Sequence, residues 1–428
     1  MPDAESTIAT TPAAAAAITD TTDAPVAPSI ERIRDAARFL APVAARTPME
    51  HSRFLASITG SAVHLKCENL QRTGSYKIRG ASYRLSRLSP EERARGVVAA
   101  SAGNHAQGVA FAARELGIAA TIFMPNGVAL PKLEATRDYG ARVELVGDVV
   151  DEALAAAKRY AEETGAVFIP PFDHPDVIAG QGTVGLEILE DVPEVRTIVV
   201  PIGGGGLIAG VAAAVKQLAP HVRIIGVQAE NAAAFPTSLE AGEVRTVATR
   251  PTIADGIAVG TPGRLTFQIV RDLVDDVVTV SDDETASAML VLLERAKLVV
   301  EPAGAVGVAA ILSGRIPDPG STVAVLSGGN IDPLMMERVI SRGLVASDRY
   351  MTLRIGLPDR PGQLAVVSSV IAEANANVVE VLHTRHGTGT QISEVQIDIS
   401  VETRGKAHQA ALLERLRSAG FAPQVVEA

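Results

Sequence analysis

Short apolar runs alternate with helical patterns along most of the chain from about residue 60 onward. Seven such runs occur, at residues 96–101, 119–124, 142–146, 166–170, 197–202, 223–228 and 322–326. Because neighbouring positions in each run are apolar, the runs predict strands that are buried on both faces. The segments 105–116 and 149–164 have helical spacing and are followed by Gly117 and Gly165, as helix ends commonly are. Repeated strand and helix predict an α/β fold of two lobes, each an open parallel sheet covered on both sides.

The last part of the chain, from about residue 351, has a different pattern. Residues 353–357 and 395–401 alternate between apolar and polar or small side chains, which predicts strands with one buried face. A helical segment between them carries four apolar residues on one face: Leu364, Val367, Ile371 and Ala374. A second helical segment has its leucines at 412–416. This order predicts a small β-α-β-β-α-β domain.

These patterns divide the chain into three regions. Residues 1–28 are largely Ala, Thr, Pro and Asp without apolar periodicity, a composition that does not repay the entropy lost on ordering. We therefore expect a disordered tail at 1–28, a two-lobed domain at 29–345 and the small domain at 351–428.

Composition and charge narrow the classes of partner. The 428 residues include 39 Lys and Arg against 49 Asp and Glu, a formal net charge of −10 that opposes nucleic-acid binding. Aromatic residues make up 3% and there is no Trp, so a base-stacking surface is not expected either. Since no run reaches the roughly 18 apolar residues of a membrane span, we expect no membrane partner.

Cysteine usage and the first residues bear on the compartment. Cys67 is the only cysteine, so no disulfide can form within the chain, and no Cys and His spacing is typical of zinc. The start lacks the early positive charge and the long apolar run of a secretory signal. We therefore expect a cytoplasmic protein.

A glycine-rich loop follows the apolar run at 197–202. It consists of Gly203, Gly204, Gly205 and Gly206, followed by Leu207 and a helical pattern. Unhindered backbone N–H groups at the start of a helix suit a phosphate, whereas four glycines in a mere connector would cost stability. The stretch 204–209 also fits the dinucleotide pattern G-x-G-x-x-A, with Glu230 where a ribose hydroxyl would be bound. Taken alone, this loop leaves a nicotinamide enzyme open.

A lysine in a Gly- and Ser-rich context precedes the first predicted strand. Thr73-Gly-Ser-Tyr-Lys77 places it at the start of a helix, the unfavourable end for a cation. That position lowers the pKa of Lys77 and favours its nucleophilic neutral amine, although a lone lysine is more often a solvated surface residue. A phosphate loop together with an activated lysine is what pyridoxal phosphate requires.

Two further loops follow predicted strands. Ser101-Ala-Gly-Asn104 opens a helix, so its backbone donors and the Ser101 hydroxyl suit a carboxylate, and Asn104 can bind the cofactor's phenolic oxygen. His105 is expected to be a satisfied structural histidine. Ser327 ends the run at 322–326, where its hydroxyl can reach the pyridine nitrogen. A serine there leaves the ring neutral, which favours elimination over transamination.

Six motifs in order over residues 30 to 342 resemble those of the serine/threonine dehydratases of pyridoxal-phosphate (PLP) fold type II, which is tryptophan synthase β-like. They are Ser75-Tyr-Lys77-Ile-Arg-Gly80, Ser101-Ala-Gly-Asn-His-Ala-Gln-Gly108, Ile178-Ala-Gly-Gln-Gly-Thr183, Gly203 to Leu207, Glu301-Pro-Ala-Gly304 and Ser327-Gly-Gly-Asn330. The last region, with Asp359-Arg-Pro-Gly362 and Asn375-Ala-Asn377, resembles an ACT domain. Together they are similar to the threonine dehydratases that carry one C-terminal ACT unit.

The resemblance implies an activity, a cofactor and a role for each site residue. It implies pyridoxal 5'-phosphate, L-threonine converted to 2-oxobutanoate and ammonia, and L-serine converted to pyruvate as a second reaction. Lys77 would bind the cofactor covalently and remove the Cα proton, while Asn104 would hold its phenolic oxygen. Gly203 through Leu207 would bind its phosphate and Ser327 its ring nitrogen. The substrate carboxylate would be bound by Ser101, Gly103 and Asn104.

The resemblance also implies regulation and leaves alternatives. We expect a homodimer or homotetramer and an amino-acid effector at the ACT domain. A serine dehydratase or a racemase of the same fold remains an alternative, although racemases of the family carry a serine where Ala102 stands. An inactive amino-acid sensor is a further alternative. Relatives that bind a cation pair the acid at Glu230 with a second carboxylate, which 231–236 lacks, so no metal is expected.

Overall fold

The computed structural model describes residues 27–384 and 394–426. The strands are β1 Met49–His51, β2 Val63–Lys66, β3 Val97–Ala100, β4 Ala120–Met124, β5 Arg142–Leu145, β6 Val167–Phe168, β7 Thr197–Pro201, β8 Arg223–Ala229, β9 Asp276–Val280, β10 Thr322–Val325, β11 Tyr350–Pro358, β12 Asn377–Thr384, β13 Glu394–Glu402 and β14 Gln424–Val426. The helices are α1 Ile30–Leu40, α2 Arg53–Thr59, α3 Lys77–Ser86, α4 Pro90–Arg95, α5 Asn104–Glu115, α6 Leu130–Asp138, α7 Val150–Thr164, α8 Pro175–Asp191, α9 Gly206–Leu218, α10 Ala234–Ala241, α11 Arg264–Leu273, α12 Asp282–Val291, α13 Pro302–Leu312, α14 Pro333–Ala346, α15 Gln363–Glu373 and α16 Lys406–Ser418.

The larger lobe is built on a six-stranded sheet in the order β1-β2-β10-β7-β8-β9. All neighbours are parallel except β1, which pairs antiparallel with β2 at the edge. Two apolar clusters cover its two faces, one containing α13 and the other α9. Since α9 and α13 begin at Gly206 and Pro302, their N-termini carry the glycine loop and the Glu301 motif into one region.

The smaller lobe is a four-stranded parallel sheet in the order β5-β4-β3-β6. One face packs on α3 and α5 and the other on α7. Strand β3 ends at Ala100 and helix α5 starts four positions later at Asn104, so the Ser101 loop lies at the carboxyl edge of this sheet. Parallel α/β sheets bind ligands at that edge.

The C-terminal domain is a four-stranded antiparallel sheet in the order β12-β13-β11-β14. Alternate residues of β11 and β13 are buried against α15 and α16, which gives the one-sided core that the alternation predicted. The observed order of elements is β-α-β-β-α-β.

Most predicted elements are confirmed, with differences at particular positions. Each of the seven apolar runs contains a strand, and α5 and α7 occupy the two segments with helical spacing. Strands β1, β2 and β9 were not predicted from the sequence, and the antiparallel β1 makes the larger sheet mixed. Of the four apolar residues expected on one face of this helical segment, Val367, Ile371 and Ala374 are buried in the core, whereas Leu364 in the first turn of α15 is exposed.

Two further predictions concern the N-terminal tail and membrane-spanning segments. Most of the predicted tail at 1–28 lies outside the described residues. In the part of the chain that is described, no helix is both long and apolar enough to cross a bilayer.

Candidate active site

Lys77 is the first residue of α3 and lies partly buried between the lobes. Its Nζ donates a hydrogen bond to the carbonyl oxygen of Pro171 at 3.1 Å. Loss of hydration lowers the pKa of Lys77 to about 8, and the nearby Glu301 carboxylate opposes this shift. The predicted direction of the pKa shift is confirmed, but its main cause is burial and not the helix terminus.

An ion network fixes the helix that carries Lys77. Arg79 is buried and donates to both carboxylate oxygens of Glu68 at 2.8 Å, and to Glu187 at 2.6 and 3.0 Å. The ammonium of Lys66 is fully buried and lies 2.6 Å from a carboxylate oxygen of Glu187. Since each buried charge has a partner of opposite sign, the network holds α3 against β2 and α8.

Backbone pairing brings the end of β10 against the start of α3. Ser75 and Gly328 form an isolated antiparallel bridge, and the N–H of Tyr76 donates to the carbonyl oxygen of Ser327 at 3.1 Å. Ser327 is 4% exposed. The structure therefore places Ser327 against Tyr76, the residue before Lys77, although 250 positions separate Ser327 from Lys77 in the sequence.

The Asn104 amide is held at both ends. Its Nδ2 donates to Oε1 of Glu301 at 2.7 Å, and its Oδ1 accepts from Nδ2 of Asn330 at 2.9 Å. Asn330 also donates to the carbonyl oxygen of Thr73 at 2.8 Å. These bonds leave one Asn104 N–H proton for a ligand oxygen, because a primary amide carries two.

Glu301 is a functional candidate to which the sequence analysis assigned no role. It precedes α13 and is buried, and burial together with the charge of Asp255 raises its pKa to about 7. A β-carbon on Gly328 would lie 2.2 Å from Oε1 of Glu301, so the glycine makes room for this carboxylate. An acidic residue within the apolar stretch 299–306 is the signal that could have identified it.

The Ser101 loop adopts a closed turn. The Gly103 N–H donates to Oγ of Ser101 at 3.1 Å, and the Ser101 N–H donates to the carbonyl oxygen of Phe123 at 3.1 Å. The Gly103 N–H, one of the expected carboxylate donors, is therefore engaged within the protein in this geometry, whereas the Ser101 hydroxyl accepts this bond and keeps its own proton to donate. His105 bonds through Nε2 to the carbonyl oxygen of Ile169 at 2.9 Å, and burial lowers its pKa to about 3. His105 is thus a neutral structural histidine, as expected.

The glycine loop packs tightly against neighbouring side chains. A β-carbon on Gly204 would lie 2.3 Å from the ring of Phe172, and one on Gly205 would lie 2.7 Å from Phe235. Gly205 has φ +96°, a backbone conformation that favours glycine. Leu207 is buried in the first turn of α9. Protein contacts therefore account for the glycines in part, and the loop still presents backbone N–H groups at a helix N-terminus.

The segment from Ile169 to Asp173, to which the sequence analysis gave no role in the site, connects these parts. Ile169 bonds to His105, Pro171 to Lys77, and Phe172 lies against the glycine loop. The Asp173 carboxylate accepts from three consecutive backbone N–H groups at the start of α11, at 3.0 to 3.1 Å. One short segment thus links the catalytic lysine candidate to the loop that would hold a phosphate.

The residues present fit pyridoxal phosphate. An amine with a pKa of about 8 can react when neutral near physiological pH, and a glycine loop at a helix N-terminus can bind the phosphate. Within 27–384 and 394–426, no group of three or more His, Cys, Asp or Glu is arranged to hold a metal ion. Glu230 is exposed at the start of a short 3₁₀ helix.

Comparison with known proteins gives the family. The sequence pattern of the family described as "Pyridoxal-phosphate dependent enzyme" matches residues 40–328. The chain belongs to this family. A second family pattern, described as "ACT domain", matches residues 351–421 of the chain. The cofactor and the fold predicted from the sequence are confirmed, and the glycine loop belongs to this family rather than to a dinucleotide enzyme.

Named relatives match nearly the whole chain. An L-threonine ammonia-lyase of Thermotoga maritima is 49% identical over 93% of this chain and 99% of its own length. One from Geobacter sulfurreducens is 50% identical over 89% of this chain and 95% of its own. The catabolic L-threonine dehydratase of Escherichia coli K12 is 49% identical over 73% of this chain and 95% of its own length.

Solved structures of the family have the same fold. Maize serine racemase superimposes with a TM-score of 0.71 and 40% identity, covering 75% of this chain and 99% of its own. The processed threonine deaminase isoform 2 of Solanum lycopersicum gives a TM-score of 0.69 and 36% identity, covering 75% and 96%.

Proposed function

We propose that this pyridoxal-phosphate dependent enzyme is a threonine ammonia-lyase that converts L-threonine to 2-oxobutanoate and ammonia. The observation that carries the proposal is the 49% identity over 93% of the chain to an L-threonine ammonia-lyase. The site supports it chemically, because it combines an amine of low pKa at Lys77 with a serine at 327.

Each residue of the site has a role in this proposal. Bound pyridoxal phosphate supplies an electron sink for the bonds at the substrate's α-carbon. Gly203 through Leu207 bind its phosphate, the Asn104 amide its phenolic oxygen, and Ser327 its ring nitrogen. The neutral amine of Lys77 removes the proton from the α-carbon.

The substrate is held and broken down at the Ser101 loop. Ser101, Gly103 and the Asn104 backbone amide bind the substrate carboxylate once the Gly103 N–H has left the Ser101 hydroxyl oxygen. Loss of the α-proton and of the β-hydroxyl as water leaves an enamine. Its hydrolysis consumes one water and yields the 2-oxo acid and ammonia, so the net reaction is threonine to 2-oxobutanoate and ammonia.

The proposal extends to partners and location. L-Serine is a second substrate that gives pyruvate, the chain forms a homodimer or homotetramer, and an amino-acid effector binds at the ACT domain. We place the protein in the cytoplasm on the sequence arguments given above.

Turnover of L-threonine by the purified full chain, supplied with pyridoxal phosphate, tests the function. We expect 2-oxobutanoate and ammonia in equal amounts, and slower formation of pyruvate from L-serine. A yellow, cofactor-loaded protein that forms no 2-oxobutanoate from L-threonine would contradict the proposal.

A further inference from the structure

An ion pair joins the two lobes beside the site. Lys132 lies on α6, in the smaller lobe, and Asp255 begins a short 3₁₀ helix, Asp255–Ile257, in the larger lobe. The Nζ of Lys132 lies 3.0 Å from Oδ2 of Asp255, and 123 positions separate the two residues in the sequence. The pair therefore spans the cleft between the lobes.

The Lys132 side chain lies beside the Ser101 loop. A β-carbon placed on Gly103 would be 3.5 Å from Cδ of Lys132 and 3.7 Å from its Nζ. The ammonium thus lies close to the loop to which we assign the substrate carboxylate, across a space that a side chain on Gly103 would enter. The positive charge of Lys132 also acts on Glu301, where it partly offsets the rise in the pKa of that carboxyl group.

Asp255 is anchored on the other side of the cleft. A β-carbon on Gly203 would lie 3.1 Å from Cα of Ile257, and one on Gly256 would lie 3.0 Å from Cβ of Ala303. The 3₁₀ helix therefore packs between the glycine loop and the start of α13. Its Asp255 side chain faces solvent, so the carboxylate is held near the cleft but is not buried in it.

The two partners differ in their contact with water. The side chain of Lys132 is 17% exposed and that of Asp255 is 63% exposed. An exposed ion pair contributes little stability because water solvates the separated charges well. A second carboxylate that arrives on the Ser101 loop can therefore replace Asp255 at the lysine at low cost.

We propose that Lys132 is a specificity residue whose ammonium binds the carboxylate of the amino-acid substrate on the Ser101 loop. This inference rests on the proposed function. Asp255 is the partner of Lys132 in this structure, and the substrate carboxylate displaces it. The lysine then adds a charge-assisted hydrogen bond to the backbone and hydroxyl donors of the loop.

The Lys132→Gln variant tests the inference, with Lys158→Gln as the matched control. Lys158 is exposed on α7 of the same lobe, so its substitution makes the same change of charge away from the loop. We expect Lys132→Gln to raise the KM for L-threonine at least about tenfold, with kcat within about threefold, and Lys132→Arg to restore part of the loss. The control should keep the wild-type KM.

A binding measurement separates the role of Lys132 from turnover. L-2-Aminobutanoate, which is threonine without its hydroxyl, cannot lose water, and its dissociation constant can be measured from the change in cofactor absorbance. We expect the constant to rise in Lys132→Gln by about the same factor as KM. An unchanged dissociation constant, or a loss confined to kcat, would overturn the inference.

Asp255→Asn distinguishes carboxylate binding from a bridge that only holds the lobes together. Removing the competing carboxylate should lower the KM, whereas a purely structural bridge predicts that the KM rises as in Lys132→Gln. If the wild-type enzyme turns over L-threonine and the Lys132 variants have the same KM as the wild type, this inference alone is refuted. A wild-type enzyme without that activity would refute the proposed function instead.

Discussion

Lys77 determines how the free protein reacts with its cofactor. Because only the neutral amine is nucleophilic, the rate of pyridoxal phosphate incorporation into the cofactor-free protein should rise with pH. Burial places the pKa of Lys77 at about 8, so we expect the half-maximal rate near pH 8 and not near the ordinary lysine value. The measurement is the growth of cofactor absorbance after mixing, from pH 6 to 10.

Glu301→Gln provides the control for that profile. The Glu301 carboxylate raises the pKa of Lys77, and its own pKa of about 7 leaves it largely ionised at pH 8. Removing this charge should shift the midpoint to lower pH, while Gln can still accept the hydrogen bond from Asn104. A midpoint that moves up, or a wild-type midpoint near 10, would show that this electrostatic account is wrong.

Ala102 bears on the choice between dehydration and racemisation. Inverting the α-carbon requires a proton donor on each of its faces, and the methyl group of Ala102 has no proton to donate. Although maize serine racemase has the same fold, we expect D-serine to form from L-serine far more slowly than pyruvate. Chiral chromatography of the reaction mixture measures both products. D-Serine forming at a rate near that of pyruvate would refute this expectation.

At the scale of elements, the glycine loop depends on its contact with the segment after β6. Ala at position 204 would place a methyl group 2.3 Å from the Phe172 ring. We expect Gly204→Ala to lower stability by about 1–3 kcal/mol, as overpacking does, and to weaken cofactor binding. Thermal unfolding with and without cofactor measures both effects.

Gly127→Ala is the matched control for that substitution. A β-carbon there meets nothing within 4 Å, so neither stability nor cofactor affinity should change. If the two variants had the same stability and the same cofactor affinity, the loop would tolerate a side chain at position 204, and the contact with Phe172 would not explain the glycine there.

The elements show how far the sequence could predict this site. Apolar runs and glycines are local signals, so the strand ends and the Lys77, Ser101, Gly203 and Ser327 loops could be located. Contacts between remote segments have no local signal. The Asp173 carboxylate caps α11 from 91 positions away, and Lys132 meets Asp255 across the cleft, so neither contact could be predicted. Burial of Lys77 is likewise a property of the folded lobes.

At the scale of the molecule, an ion pair between Arg349 and Glu294 joins the segment that leads into the C-terminal domain to the two-lobed domain. The Escherichia coli relative aligns over 73% of this chain and 95% of its own length, so that enzyme lacks room for an equivalent domain. Cutting after Ser347 should therefore leave the cofactor site and threonine turnover intact.

The same truncation tests regulation. Coupling between an effector and the site typically amounts to about 1–3 kcal/mol, which shifts the substrate curve measurably. We expect branched-chain amino acids or another effector to shift the curve of the full chain but not that of the truncated one. A full response without the C-terminal domain would place the effector site in the two lobes.

The most direct test of the account is to identify the residue that carries the cofactor. Borohydride fixes pyridoxal phosphate to the amine that holds it, and peptide mass mapping then locates the label. The structure predicts Lys77, because burial lowers its pKa to about 8, whereas the Lys66 ammonium is buried against Glu187 and that of Lys132 is paired with Asp255. Label on Lys77, with none in Lys77→Ala, would support the account, and label on Lys66 or Lys132 would contradict it.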